Sequence, residues 1–216
     1  MDNLSKILLR MDAAHRKSGL SQRPPILVAA SKDQAPDKIL PLLERGVEAY
    51  GENRIQEAAA KWPELRRRYP GVRLHLIGAL QSNKAAEAAG LFDVIETVDR
   101  EKIALALDGE MKRQQRFPKC LIQVNIGKEP QKSGVMPGHL EAFLKFCREK
   151  TSLPICGLMC VPPAHQPPAP YFALLQTLGK RHGLEELSMG MSGDFETAIA
   201  LGATEVRIGT ALFGQR

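Results

Sequence analysis

Eight short apolar segments alternate along the chain with longer segments of helical periodicity, and this alternation restricts the fold more than any other feature. The predicted strands cover residues 26–30, 47–50, 73–77, 94–98, 120–126, 155–161, 187–189 and 205–208. The predicted helices cover residues 4–17, 36–45, 54–68, 82–89, 100–115, 137–149, 170–181 and 194–201. Strands that alternate with helices form parallel sheets, because each helix returns the chain to the edge where the next strand begins.

Eight strand and helix units predict an α/β fold, a single-domain (β/α)8 TIM barrel over residues 1–216. An open, doubly wound sheet is the alternative. The nucleotide fingerprint that usually follows the first strand of such a sheet, G-x-G-x-x-G, is absent here. The closed barrel is therefore the favoured architecture.

The composition is that of an ordinary globular protein. The chain has 30 Lys and Arg against 24 Asp and Glu, a net charge of +6, and 44% of its residues are hydrophobic, which is too many for a disordered protein. It has no apolar run of about 18 residues, and its first residues lack the apolar core of a signal peptide. We expect no membrane association and a cytoplasmic location.

Nucleic-acid and metal sites have little support in the sequence. The 7 Phe, 3 Tyr and 1 Trp are few for base stacking, and the basic run 66–68 ends a helical segment, which is typical of a solvated face. The four cysteines, at positions 120, 147, 156 and 160, match no zinc-binding spacing. We expect them to be reduced and buried, and we expect no metal site.

Two turns near the end of the chain are suited to an anion. In a TIM barrel, phosphate groups bind in the loops after strands seven and eight. Ser192 and Gly193 follow the seventh predicted strand, and Gly209 and Thr210 follow the eighth. Small residues expose backbone N–H groups, and a helix start adds partial positive charge. Ser192 or Asp194 could instead be a plain helix cap, but two such turns together predict one phosphate-binding cup.

Two cationic residues accompany this cup. The alternation of the eighth strand directs Arg207 into the barrel, with Val206 and Ile208 facing the helices; a structural Arg paired with a carboxylate is the alternative. Lys32 follows the first strand and is either a solvated charge or a lysine that forms a Schiff base. A phosphate cup, an inward Arg and a rim Lys predict a phosphorylated aldehyde or ketone as ligand.

The motifs of this chain resemble, in order, those of the YggS/PROSC family of pyridoxal phosphate homeostasis proteins. The matching segments are Ala30-Ser31-Lys32, Gly51-Glu52-Asn53 with Gln56-Glu57, His75-Leu76-Ile77-Gly78, Leu80-Gln81-Ser82-Asn83-Lys84, Gln123-Val124-Asn125, Lys132-Ser133-Gly134, Gly157-Leu158-Met159, Leu187 to Ser192 with Asp194, and Val206 to Gly214. The resemblance runs from about residue 4 to the C-terminus.

The resemblance implies a barrel like the N-terminal domain of alanine racemase, with pyridoxal 5′-phosphate (PLP) held as an internal aldimine on Lys32. Four residues would hold the phosphate, namely Ser192, Gly193, Gly209 and Thr210. By the same similarity Arg207 would face the pyridine nitrogen, and Asn53, His75 and Ile77 would line the ring. From the residues alone, His75 is as compatible with a satisfied core histidine.

The implied function is PLP binding in vitamin B6 homeostasis, without catalytic residues and without turnover. A cation at the ring nitrogen weakens the electron sink, and racemisation needs a base on each face of the substrate. The racemase C-terminal domain that supplies the second base is expected to be missing, and Tyr50 and His75 are weak substitutes. A weakly active racemase of fold type III and a colourless, aldolase-like sugar-phosphate barrel are the alternatives. Expected partners are apo PLP-dependent enzymes, and the expected state is a monomer.

Overall fold

A computed structural model describes residues 2–20 and 23–214, in which eight parallel strands close into a barrel. The strands are β1 Ile26–Ala30, β2 Ala49–Glu52, β3 Arg73–Leu76, β4 Val94–Val98, β5 Lys119–Val124, β6 Ile155–Cys160, β7 Glu186–Ser188 and β8 Glu205–Ile208. Each strand pairs with the next one in the chain, and β8 pairs with β1. The predicted (β/α)8 barrel is confirmed.

Helices separate the strands in sequence and cover the outside of the barrel. They are α1 Asn3–Ser18, α2 Pro36–Glu44, α3 Ile55–Arg68, α4 Ala85–Leu91, α5 Glu101–Gln114, α6 Leu140–Lys150, α7 Ala169–His182, α8 Phe195–Ala200 and α9 Thr210–Phe213. The segments predicted to begin α4 and α6 are 3-10 turns, Ser82–Lys84 and Pro137–His139. The short α9 was not predicted, because four residues are too few to show a helical period.

The largest difference from the predicted strands concerns β2. The sequence predicted residues 47–50, whereas the strand runs two residues further, to Glu52. The extension follows from pairing on both sides, because Gly51 is level with Ala30 of β1 and Glu52 is level with Leu76 of β3. As a result Asn53, rather than Gly51, is the first residue beyond the strand.

The main apolar core lies between the barrel wall and the helices. Its largest fully buried side chains include Trp62, Phe92, Phe172 and Phe195. Four free cysteines complete the packing; Cys120, Cys147 and Cys160 are buried and Cys156 is half-buried, as expected. Burial raises the pKa of each thiol above its ordinary value, so the cysteines stay protonated and unreactive at neutral pH.

The inside of the barrel holds a chain of buried polar side chains. Arg207 donates to the Ser188 hydroxyl at 2.6 Å, and that hydroxyl donates to a Glu96 oxygen at 2.6 Å. The other Glu96 oxygen lies 2.8 Å from His75 Nδ1, which is 3.8 Å from Glu205 Oε2. These residues come from β3, β4, β7 and β8, so the contacts cross the interior and join opposite walls.

The charges of this interior group balance one another. Burial acts to raise the pKa of Glu96, but the hydrogen bond from His75 and the Arg207 charge outweigh it, so the pKa is lowered. Burial would lower the pKa of His75, yet the Glu96 hydrogen bond and the Glu205 charge raise it. Burial, together with the Glu96 charge, raises the pKa of Glu205 to about 7. Glu96 therefore favours its charged form beside His75, whereas Glu205 favours its protonated form up to about neutral pH.

Three of these side chains, His75, Glu96 and Glu205, place possible metal-ligand atoms within 4.8 Å of one another. The Arg207 guanidinium already lies 3.6 Å from Glu96, which disfavours a second cation beside the same carboxylate. We therefore interpret the group as a buried network of hydrogen bonds and ion pairs. In the two described ranges, no helix combines the length and the apolar character needed to cross a bilayer.

The buried Glu205 predicts a particular dependence of stability on pH. The unfolded chain releases this proton near the ordinary value of 4.5, whereas the folded protein keeps it until about pH 7. The stabilisation is complete below pH 4.5 and is lost as the pH rises through 7, with a slope of up to about 1.4 kcal/mol per pH unit. Replacing Glu205 with Gln should flatten the free energy of unfolding, measured with urea, across this window. Glu185→Gln, at an exposed position near the same end of the barrel, is the control; equal slopes in wild type and Glu205→Gln would contradict the assignment.

Candidate functional site

The predicted site residues, except His75 and Arg207, lie beyond the carboxyl ends of their strands. Lys32 follows β1, Asn53 follows β2 and Ile77 follows β3. The segments Gly190–Gly193 and Gly209–Thr210 follow β7 and β8. Because all eight strands are parallel in one closed barrel, these positions share a single rim, which is where TIM-barrel sites are found.

The two turns predicted to bind phosphate are joined by a hydrogen bond. The backbone N–H of Ala211, in the first turn of α9, donates to Ser192 Oγ at 3.2 Å. Asp194 instead closes its own turn, by accepting from Met191 N–H at 2.6 Å. Ser192 is therefore not the cap of α8, whose N-cap is Asp194; its hydroxyl instead bridges the loop after β7 and the loop after β8.

Glycine is required where the seventh loop leaves the barrel. Gly190 has φ of +92°, and a Cβ there would lie 2.5 Å from the Cβ of Ala198. Gly193, by contrast, is exposed, and a Cβ added there would meet no atom of the described residues within 4 Å. The loop is thus held tightly against α8 at Gly190, and its far side at Gly193 is open to a ligand.

Lys32 lies next to this cup. Ile208 pairs with Ala29, so Gly209 lies level with Ala30 of β1. A Cβ built on Gly209 would lie 3.3 Å from the Ala30 carbonyl oxygen. Ala30 is two residues before Lys32, whose side chain is half-buried. Within the described ranges, no residue forms a hydrogen bond or ion pair with its ammonium group. The backbone that leads to Lys32 is therefore next to the cup, and its side chain carries no ion pair to a described residue.

Asn53 and Ile77 occupy the adjoining part of the rim. A Cβ on Gly78 would lie 2.2 Å from the Asn53 carbonyl oxygen, so the two backbones are in close contact. Similarly, the Ile77 side chain fills the space beside Gly51, where a Cβ would lie 2.8 Å from Ile77 Cδ1. Both predicted ring-lining residues are half-buried. Asn53 is held by its contact with Gly78, and Ile77 by its contact with Gly51.

A small cavity of about 170 Å³ opens on the same rim, between the ends of β3, β5 and β6. Its lining includes Ile77, Asn125, Lys132 and Met159. A larger concavity of about 930 Å³ lies at the opposite, amino end of the barrel, where Ile26, Arg73, Lys119, Glu186 and Glu205 begin or adjoin their strands. None of the predicted site residues lines this larger opening.

Arg207 points into the barrel, as the strand alternation predicted, and is 5% exposed. It also contacts a carboxylate, Glu96, so both interpretations of this residue apply. Its two hydrogen bonds, to Ser188 and to the Cys160 carbonyl at 2.8 Å, use two of the five N–H donors of a guanidinium.

His75 and Tyr50 differ from the other site candidates in their surroundings. His75 is completely buried two residues before Ile77 and is bonded to Glu96, so it lies below the rim. A ring-lining role for His75 stays a prediction. Tyr50 is also completely buried, and its ring packs 4.9 Å from that of Trp62 in α3, on the outside of the barrel. Neither side chain is placed to act as a second base on the rim.

The proline-rich segment 162–168 packs against the loop after β5. Lys132 Nζ donates to the Pro162 carbonyl at 3.3 Å, and a Cβ on Gly127 would lie 2.5 Å from Pro163 Cγ. These contacts place the segment beside the small rim cavity, whose lining includes Lys132 and Val161.

Glu96, Ser188 and Glu205 are not among the predicted site residues. The signal was available, since Glu96 interrupts the apolar strand Val94–Val98 and Glu205 lies two residues before Arg207, on the same strand face. A charged residue inside an apolar strand requires a buried partner. Which strands supply the partners depends on barrel closure, which single-strand patterns do not contain.

Known proteins resemble this chain over its whole length. The family described as "Alanine racemase, N-terminal domain" matches residues 29–216. A pyridoxal phosphate homeostasis protein of Aquifex aeolicus (strain VF5) is 36% identical, and the alignment covers 100% of this chain and 97% of the relative. The structure of PipY from Synechococcus elongatus PCC7942 with PLP bound is 35% identical, with a TM-score of 0.80, covering 95% of this chain and 99% of PipY.

A more distant neighbour shows the fold alone. An alanine racemase of Clostridium difficile 630 is 14% identical, with a TM-score of 0.72, and the match covers 96% of this chain and 56% of the racemase. The closer relatives confirm the resemblance to the YggS/PROSC family that the motifs indicated. The chain belongs to the alanine racemase N-terminal domain family and, within it, to the pyridoxal phosphate homeostasis proteins.

Proposed function

We propose that this protein binds PLP as a Schiff base on Lys32 and takes part in PLP homeostasis in the cytoplasm, without catalytic turnover. The observation that carries the proposal is the arrangement of the rim: a half-buried lysine, unpaired among the described residues, adjoins two small-residue turns that are bonded to each other. The relatives support it, because one is named for pyridoxal phosphate homeostasis and another has PLP bound.

The residues of the rim fit the chemical parts of PLP. Ser192 and Thr210 offer hydroxyls, and Gly193 and Gly209 offer close backbone approach, to the phosphate. When bound, PLP would supply an aldehyde that condenses reversibly with a primary amine, with loss of one water, and Lys32 would be the residue that holds it. Reversibility is what a protein that later releases PLP to apo-enzymes requires.

The surroundings of the ring favour holding PLP over reacting with it. Arg207, directed toward the ring nitrogen with Asn53 and Ile77 along the ring, disfavours protonation of that nitrogen and weakens the electron sink. The two candidate second bases, Tyr50 and His75, are buried away from the rim. These features support a carrier over the alternative of a weak racemase. The expected monomeric state stays a prediction.

Lys32→Ala should abolish the visible absorption band that PLP gives with wild type and should leave no adduct after borohydride reduction. Weak PLP binding through the phosphate cup should persist. Peptide mapping of the reduced wild type should place the label on Lys32. Lys132→Ala, which removes another rim lysine, is the control and should keep the adduct. A reducible adduct on the same peptide of Lys32→Ala would show that the assignment is wrong.

The phosphate cup predicts a difference between two ligands. Ser192→Ala combined with Thr210→Val should weaken PLP binding by about a hundredfold or more, because hydrogen bonds to a charged group contribute about 1.5–3 kcal/mol each. Pyridoxal, which has no phosphate, should lose much less affinity. Titration of both ligands by absorbance checks this, with Thr177→Val as control, since that hydroxyl donates to the Ala173 carbonyl of its own helix. Equal losses for PLP and pyridoxal would exclude the cup.

The absence of turnover is tested by optical rotation. PLP-loaded wild type, incubated with L-alanine or L-serine, should change the rotation no faster than free PLP does, because the candidate second bases, Tyr50 and His75, are buried away from the rim. Lys32→Ala serves as the matched control. A steady change with wild type that is lost in Lys32→Ala would establish the racemase instead.

A further inference from the structure

The turn that carries Lys32 is bonded from outside the barrel by side chains of β2 and α3. Glu52, at the end of β2, is completely buried, and its Oε1 is the point at which three donors meet. The Ser31 hydroxyl donates to it at 2.6 Å and the Trp62 indole at 2.9 Å, and the Lys61 ammonium lies 2.9 Å away. The residue immediately before Lys32 is thus tied to a buried carboxylate.

Lys61 binds the main chain on both sides of Lys32. Its ammonium donates to the Ser31 carbonyl at 2.8 Å and to the Gln34 carbonyl at 3.3 Å. The same group forms an ion pair with Glu57 at 2.8 Å, and the residue is only 8% exposed. A buried lysine is costly unless it is paired and hydrogen-bonded, and here oxygens of the turn supply two of its bonds.

Glu57 completes the contact with the turn. Its Oε1 accepts from the Asp33 backbone N–H at 2.6 Å. Asp33 has φ of +57°, a left-handed conformation that costs a non-glycine residue about 1 kcal/mol or more. Such a conformation persists when surrounding bonds enforce it, and the bonds from Glu57 and Lys61 do so. The main chain around Lys32 is therefore fixed, while the Lys32 amine takes no part in these bonds.

We propose that Lys61, held by Glu52 and Glu57, is a positioning residue that sets the Lys32 turn for Schiff-base formation. This inference rests on the proposed function. The Lys61 clamp, meaning Glu52, Glu57 and Lys61, does not touch the ligand and acts through the backbone of residues 31–34. Proximity and orientation control the rate of such a condensation, and a misplacement of about 1 Å costs up to a hundredfold.

A merely structural ion pair and a positioning clamp predict different results for two ligands. Pyridoxine 5′-phosphate carries an alcohol in place of the aldehyde, so it tests the phosphate cup without forming an imine. Loss of the clamp should slow the reaction of PLP with Lys32 and leave pyridoxine 5′-phosphate affinity nearly unchanged. General destabilisation would affect both ligands together.

The experiment compares Lys61→Met with wild type. Stopped-flow absorbance should show Schiff-base formation slowed about tenfold to a hundredfold, while the Kd of pyridoxine 5′-phosphate, from fluorescence titration, changes by less than about twofold. Arg66→Met is the matched control, because Arg66 also lies on α3 and its loss breaks a partly buried pair with Asp93 at 2.9 Å. It should react at the wild-type rate.

A second variant covers the case in which Lys61→Met does not fold. Glu57→Gln removes a charge from a partly exposed position and should slow the reaction in the same direction, by a smaller factor. Wild-type rates in the folded variants, or a parallel loss of pyridoxine 5′-phosphate affinity, would overturn the clamp alone. A wild type that forms no Schiff base would overturn the proposed function and the clamp with it.

Discussion

Pairing of the last strand with the first is the constraint on which the rim depends. β8 lies alongside β1, in a register that runs from Ile26 and Glu205 to Ala29 and Ile208. This pairing brings the turn that carries Lys32 beside Gly209, although the two come from opposite ends of the chain. An open sheet would leave β1 and β8 apart, and the lysine and the anion cup would not form one site.

Two buried carboxylates orient the two cationic residues of the rim from opposite sides of the barrel wall. Inside the barrel, Glu96 and Ser188 hold Arg207. Outside it, Glu52 holds the Lys32 turn through Ser31. Removing a carboxylate from water is costly unless donors replace the lost hydration, so each carboxylate imposes an arrangement on its donors. The Arg207 side chain and the backbone around Lys32 are thereby fixed independently of each other.

The sequence predicted the barrel, the rim and the direction of Arg207, because these follow from local periodicity and from the common direction of parallel strands. It did not predict that β2 extends to Glu52, since an inserted charge usually ends a strand pattern. The Glu52 carboxylate can be buried there because the Trp62 indole and the Lys61 ammonium, both on α3, contact it. These contacts exist only after folding. The same holds for His75. The alternation of β3 indicates which face of the strand His75 lies on, but its partner Glu96 comes from the neighbouring strand and is known only after folding.

The polar group inside the barrel bears on the proposal that this site holds an aldehyde without turning it over. Arg207 lies 3.6 Å from Glu96, and the hydrogen bond from His75 and the Arg207 charge lower the pKa of that carboxyl despite its burial. A catalytic cycle that places negative charge on the PLP ring would require the charges of this buried network to change in step with it. The network is instead buried and mutually compensated, and its one histidine is bonded below the rim. An arrangement of this kind stabilises one bound state, which suits storage and release better than repeated proton transfer.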